Sequence, residues 1–248
     1  MIEIKDISKI YSDQFGNKIK LLENVSFIIE DRKIISLIAP VGSGKSSLLK
    51  IISGLEKESS GTVKKNESGK IIYLPSGPSS FPWLTVKENI VFGLDEPNNE
   101  QINRLLSFVG LEGYAGHYPD NKSLGFRFRI SLARSLAHLP ECICIDEPFI
   151  RMDQSVKMEI YQLIRKVSYE LNTSVLIATT NITEAIFLSD KIFLLGGEPA
   201  KIIGSLNIDL PQYRDLSVVT TQEFSFYINE VENIFKQIDS KKILFKSI

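Results

Sequence analysis

The sequence predicts an α/β protein: a mainly parallel sheet flanked by helices, with an N-terminal antiparallel β portion and an inserted helical subdomain. Three observations carry this expectation. Short apolar runs alternate with helix-length segments along much of the chain. One run, KIISLIAP, leads directly into a glycine-rich loop and then a helix. Another, ECICIDEP, ends in acids.

Taken in order, IEIKDI and KLLENVSFII have the composition of short strands, and KIISLIAP that of a strand buried on both faces. Lys45 to Ile52 follows as a helix, with Gly54 placed to end it. KIIYLP is a further strand, and SGPSSFPW the loop after it. From about Thr85 to Ala137 the pattern is predominantly helical, which gives the inserted subdomain, residues 85–138. ECICIDEP is a strand, Gln154–Leu171 a helix and SVLIAT a strand; a helix opens at Ile182, and KIFLL is the last strand. The tail is polar from about Leu206 until an amphipathic helix near Gln222–Ile238. The expected organisation is one nucleotide-binding domain over residues 1–205 and an extension over 206–248.

A chain of 248 residues that is 43% hydrophobic is ample for a packed core. A formal charge of −1 and a pI near 6.2 argue against nucleic-acid binding through a general basic field. No apolar run approaches the roughly 18 residues that span a bilayer. The start, MIEIKDISKI, lacks the basic and apolar regions of a secretory signal. A cytoplasmic protein, peripheral to a membrane at most, is expected. Cys142 and Cys144 lie on one face of a strand and are expected to be buried thiols in a reducing compartment; two Cys and two distant His give no metal-site spacing.

The stretch APVGSGKSS, residues 39–47, follows the phosphate-loop pattern except at its first position, where Ala39 replaces glycine. Such a loop curls backbone N–H groups around phosphates at a helix mouth. The candidate ATP-binding residues are therefore Ala39, Pro40, Val41, Gly42, Ser43, Gly44, Lys45, Ser46 and Ser47. Lys45 would bridge the outer phosphates, and the Ser46 hydroxyl would hold Mg²⁺. A methyl group at position 39 costs about 1–2 kcal/mol if its φ must be positive, while Gly42 and Gly44 still serve the tight part. Asp146, at the end of an apolar strand, is the candidate acid behind Mg²⁺, and Glu147 the candidate catalytic base for an attacking water. A Gly/Ser turn or a pair of solvated loop acids would be the plain account of either motif alone. Together they specify a P-loop NTPase core.

With these motifs in place, the chain resembles the ATP-binding subunits of ABC transporters over most of its length. IDEPFIRMD resembles that family's Walker B and D-loop, with Asp153 as the D-loop acid, and RISLARSLA the helix after its signature motif. FPWLTVKENIVFGL and NIDLPQYRDL resemble the nitrate/sulfonate/taurine importer branch. The resemblance implies an ATPase that binds ATP and Mg²⁺ and works as a head-to-tail dimer, each ATP held between one P-loop and the other protomer's signature. It implies transmembrane permease subunits as partners, a solute-binding protein indirectly, and a place on the inner face of the cell membrane. Tyr11 would stack on adenine, although packing is an equal account of a lone tyrosine.

The departures are selective. The signature aligns with KSLGF, so Ser123 and Gly125 remain as phosphate contacts across the dimer, while Lys122, Leu124 and Phe126 are foreign. The Q-loop glutamine aligns with Ser76 and the switch histidine with Thr180. Ser123 is equally suited to cap the following helix, and Asn181 with Glu184 to form a capping box. Loss of one preorganised donor costs about 10²–10³ in rate. Three functions stay open: an importer ATPase with slow turnover, a nucleotide-binding pseudo-ATPase paired with an intact subunit, and a soluble P-loop kinase or other NTPase. The RISLAR helix before Walker B speaks against the third.

Overall fold

The computed structural model describes residues 1–77 and 79–245. Two long strands, β1 (Ile2–Ser12) and β2 (Lys18–Ile29), open the chain as an antiparallel pair. Then come β3 (Ile34–Ile38), α1 (Lys45–Ile52), β4 (Ser60–Lys64) and β5 (Ile71–Leu74). Three helices follow without a strand between them: α2 (Val86–Val91), α3 (Asn99–Phe108) and α4 (Leu124–Ala137). Strands and helices alternate again through β6 (Cys142–Asp146), α5 (Gln154–Glu170), β7 (Ser174–Thr179), α6 (Ile182–Leu188), β8 (Lys191–Gly196) and β9 (Lys201–Asn207). A 3-10 helix (Leu216–Thr220) and α7 (Gln222–Phe245) end the described chain.

The main sheet has the order β5-β6-β7-β3-β8-β9, parallel except for β9 at its edge. A second, antiparallel sheet has the order β2-β1-β4. This is the expected α/β architecture, with the helical subdomain inserted after β5.

Alternating side chains divide the core in two. Ile34, Ile38, Ile143, Ile145, Val175 and Ile177 face one apolar cluster, built with α2 to α7. Ile35, Leu37, Cys142, Cys144, Leu176 and Ala178 face the other, shared with α1, β1 and β2. Each fully buried Ile or Leu contributes about 1.5–3 kcal/mol relative to exposure. Both cysteines are free and buried, as expected, and Cys142 together with burial pushes the Cys144 thiol up.

Three elements went unread in the sequence. β4 (SGTVK) is short, polar and never fully buried. β9 (KIIGSLN) carries Gly204, where an added Cβ would meet Ile234 of α7 at 3.1 Å, so the glycine lets α7 approach the sheet. The 3-10 helix is capped by the Asp215 side chain. β1 also outruns IEIKDI: a bulge with Asp6 at φ 53 lets pairing with β2 resume. β9 runs across the expected boundary between residues 205 and 206, and α7 packs on α6 and β8. Among the described residues no helix is long and apolar enough to cross a membrane.

Candidate functional site

The middle strand β7 sets the distance between the two halves of the site. Its Thr179 carbonyl accepts from the Ala39 N–H at 3.4 Å, and its Ala178 carbonyl accepts from the Glu147 N–H at 2.9 Å. The loop after β3 and the acids after β6 are thereby pinned to one strand. Lys45, 4% exposed, reaches across to Glu147 Oε1 at 3.1 Å. Its ammonium also donates to the Ala39 and Pro40 carbonyls, both at 2.9 Å.

A cavity of about 340 Å³ lies between them. Val41, Gly42, Gly44, Lys45, Ser46 and Ser47 line it from the loop, with Asp146 and Glu147 on the far wall and Ser76 at its rim. Gly42 (φ 81) and Gly44 (φ 91) take the left-handed turns of the loop, and the first-turn N–H groups of α1 have no intrahelical acceptor. Ser43 Oγ is buried without a partner, as is Asp146 Oδ1. Of the two, only Asp146 lines the cavity, and a buried carboxylate oxygen left bare there suits a cation; Ser43 and Pro40 belong to the loop but do not line it. The Ser46 hydroxyl and Asp146 could hold Mg²⁺ there, and the cation would neutralise phosphate charge.

Ala39 proves innocuous. It does not adopt a positive φ, so the expected strain does not arise. Its methyl group is 2% exposed and packs in the cluster of Leu37 and Leu48. Strain sits instead at Glu147, with φ 43, a conformation that costs a non-glycine residue about 1–2 kcal/mol. The turn aims its carboxylate at Lys45.

The remaining candidates divide. Tyr11 touches the site's flank: its hydroxyl is 2.9 Å from Ser47 Oγ, it also donates to Glu56, and the Lys9 ammonium lies 4.8 Å from its ring. Burial and Glu56 push its phenol pKa up. Asp153 precedes α5 yet makes no side-chain cap bond. Ser123 does cap α4, accepting from the Phe126 N–H at 3.3 Å, and Gly125 packs where a Cβ would meet Val156 at 2.4 Å. Ser123, Gly125 and Thr180 do not line the cavity.

The expected capping box at Asn181 is only half formed. Asn181 accepts from the Glu184 N–H at 3.0 Å, but Glu184 turns away to accept from Thr179 (3.1 Å) and to pair with Lys157 (2.9 Å). A nearby lysine outcompetes a backbone N–H for the carboxylate. Tyr73, which donates to Asp146, was not singled out in the sequence; only the pairing of β5 with β6 reveals it.

Residues 22–150 match the family described as ABC transporter. The chain is 31% identical over 249 residues to an uncharacterised ABC transporter ATP-binding protein of Methanocaldococcus jannaschii, covering 95% of this chain and 91% of that protein. The chain belongs to the ABC transporter ATP-binding family. It is 30% identical to the nitrate import ATP-binding protein NrtD of a Synechocystis strain, covering 95% of each. It is 32% identical to the aliphatic sulfonates import ATP-binding protein SsuB of Bacillus cereus, covering 90% and 92%. Among solved structures, a dimeric ATP-binding cassette in a post-hydrolysis state with ADP and Pi superposes with a TM-score of 0.73 at 26% identity, covering 85% of this chain and all of that one. This ABC protein thus belongs by sequence and fold with the ATPase cassettes, a family that binds ATP with Mg²⁺.

Proposed function

We propose that this ABC protein is the ATP-hydrolysing subunit of an importer of the nitrate and sulfonate class, closing as a head-to-tail dimer beneath permease subunits on the inner face of the membrane. The observation that carries this reading is the convergence of Lys45, Asp146 and Glu147 on one cavity beside the α1 N-terminus. In this reading Lys45 exchanges its loop carbonyls and Glu147 for the outer phosphates, which frees Glu147 to take the proton of an attacking water. Asp146 supports the magnesium, Tyr11 borders the base, and Ser123, Gly125 and Asp153 meet the partner protomer's nucleotide. Turnover is slow, because Ser76 and Thr180 are too short or uncharged to replace the groups that sense the γ-phosphate.

A second reading, a pseudo-ATPase paired with an intact subunit, draws on Leu124, the first residue of α4, where the signature needs a glycine. One experiment separates the two: steady-state phosphate release by the purified chain beside Lys45→Ala and Glu147→Gln. The ATPase reading expects release above the Lys45→Ala level, abolished in Glu147→Gln with a stable ATP-bound dimer. Release no greater than Lys45→Ala, with ATP–Mg²⁺ still bound, leaves only the pseudo-ATPase. The importer class is tested by whether the chain co-purifies with transmembrane permease subunits when expressed in its own host.

A further inference from the structure

Asp146 is 3% exposed, and its two oxygens have different surroundings. Oδ2 accepts a 2.8 Å hydrogen bond from the Tyr73 hydroxyl, whereas Oδ1 is buried without a partner. Tyr73 reaches it from the neighbouring strand, where the parallel register sets Tyr73 beside Cys144 and Leu74 beside Ile145. A carboxylate at a strand end can rotate about its last bond, and a donor on one oxygen removes that freedom. A phenol hydroxyl is a donor that a carboxylate oxygen readily accepts.

We propose that Tyr73 is a positioning residue for magnesium: it holds Oδ2 of Asp146 so that the bare Oδ1 is the oxygen presented to the cation. The inference rests on Asp146 being the magnesium-supporting acid. It also links the metal to β5, since the strand carrying Tyr73 leads into Ser76 at the rim of the same cavity. Three residues before Ser76, Tyr73 supplies a direct polar contact from β5 to the metal acid.

The test is Tyr73→Phe in the full chain, which keeps the ring and deletes only the hydroxyl. ATP affinity is measured in EDTA and across a Mg²⁺ titration, with Asp146→Asn as the reference. Expected are an unchanged affinity in EDTA and a rise of about tenfold in the Mg²⁺ concentration that half-saturates the tightening, the low end for loss of a partner behind a metal ligand. Mn²⁺ in place of Mg²⁺ should give an electron paramagnetic resonance spectrum of the nucleotide complex that is broader in the variant. A Mg²⁺ response equal to the parent's overturns the inference. So does an equal loss of affinity with and without metal, which marks a purely structural tyrosine. If the phenylalanine chain does not fold, 3-fluorotyrosine at position 73 in the otherwise unaltered chain decides: its fluorine resonance must shift when Mg²⁺ joins the ATP complex, and no shift overturns the inference. Should Asp146→Asn keep the parent's Mg²⁺ response, the magnesium assignment itself fails, whatever Tyr73→Phe does.

Discussion

The methyl group of Ala39, which breaks the phosphate-loop pattern, fills space in the core cluster and asks nothing unusual of the backbone. Ala39→Gly should therefore leave ATP affinity unchanged and lower stability by about 1 kcal/mol, through added chain entropy and a lost methyl contact. Denaturant unfolding beside ATP calorimetry checks both. The opposite holds at Gly44, with φ 91 and an added Cβ only 2.9 Å from both Leu21 Cγ and Leu22 Cδ2. Gly44→Ala should abolish ATP binding and cost more than the roughly 1–2 kcal/mol of a left-handed alanine alone. Normal ATP binding by Gly44→Ala would refute this account of the loop. The sequence identified the residues here, but not which of the two positions carried strain. That depends on φ, which no pattern of letters contains, and the same is true of Glu147.

At the scale of elements, β3, β6 and β7 were legible because each is a near-continuous apolar run, the mark of a strand buried on both faces. β4 and β9 were not, because both are short and no residue of either is fully buried, and β4 in addition pairs with the distant β1. The half-formed cap at Asn181 has a similar origin: local spacing favoured Glu184 for the backbone, and Lys157 on α5 redirected it. Tyr161, also on α5, lies against Glu184, and burial first and that carboxylate second push its phenol up. The folded pKa therefore exceeds the unfolded value of about 10. The associated stability is full below that pH and is lost as pH rises through the folded pKa, since the unfolded chain releases the proton first. Urea unfolding from about pH 9 to about pH 11 should show stability falling in the parent and falling less steeply in Tyr161→Phe. Parallel slopes would show that Tyr161 titrates alike in both states.

For the molecule as a whole, the decisive polar contact lies far from the cavity. Arg214, in the stretch NIDLPQYRDL, is 1% exposed, and its Nη1 donates to the Ile186, Phe187 and Ser189 carbonyls at 2.9, 2.8 and 3.0 Å. These are the last carbonyls of α6, the negative end of that helix. Beside it, Arg165 donates to Leu188 (2.7 Å) and to Gln212. Burial, then the neighbouring Arg165 charge, lowers the Arg214 pKa to about 10, which leaves it cationic at neutral pH. Asp190, just past α6, accepts from the Ile34 N–H at 2.9 Å, so the tail is tied through α6 to the strand that opens the phosphate loop. The extension is accordingly expected to unfold together with the domain. Arg214→Ala strands several buried carbonyls and should cost about 3 kcal/mol or more. Arg214→Lys should recover only part of this, because one ammonium cannot satisfy the same fan of acceptors. Hydrogen exchange should quicken in α6 and across residues 208–231 together. A wild-type melting midpoint in Arg214→Ala, or exchange that quickens in the tail alone, would show that the extension docks on a domain able to stand without it.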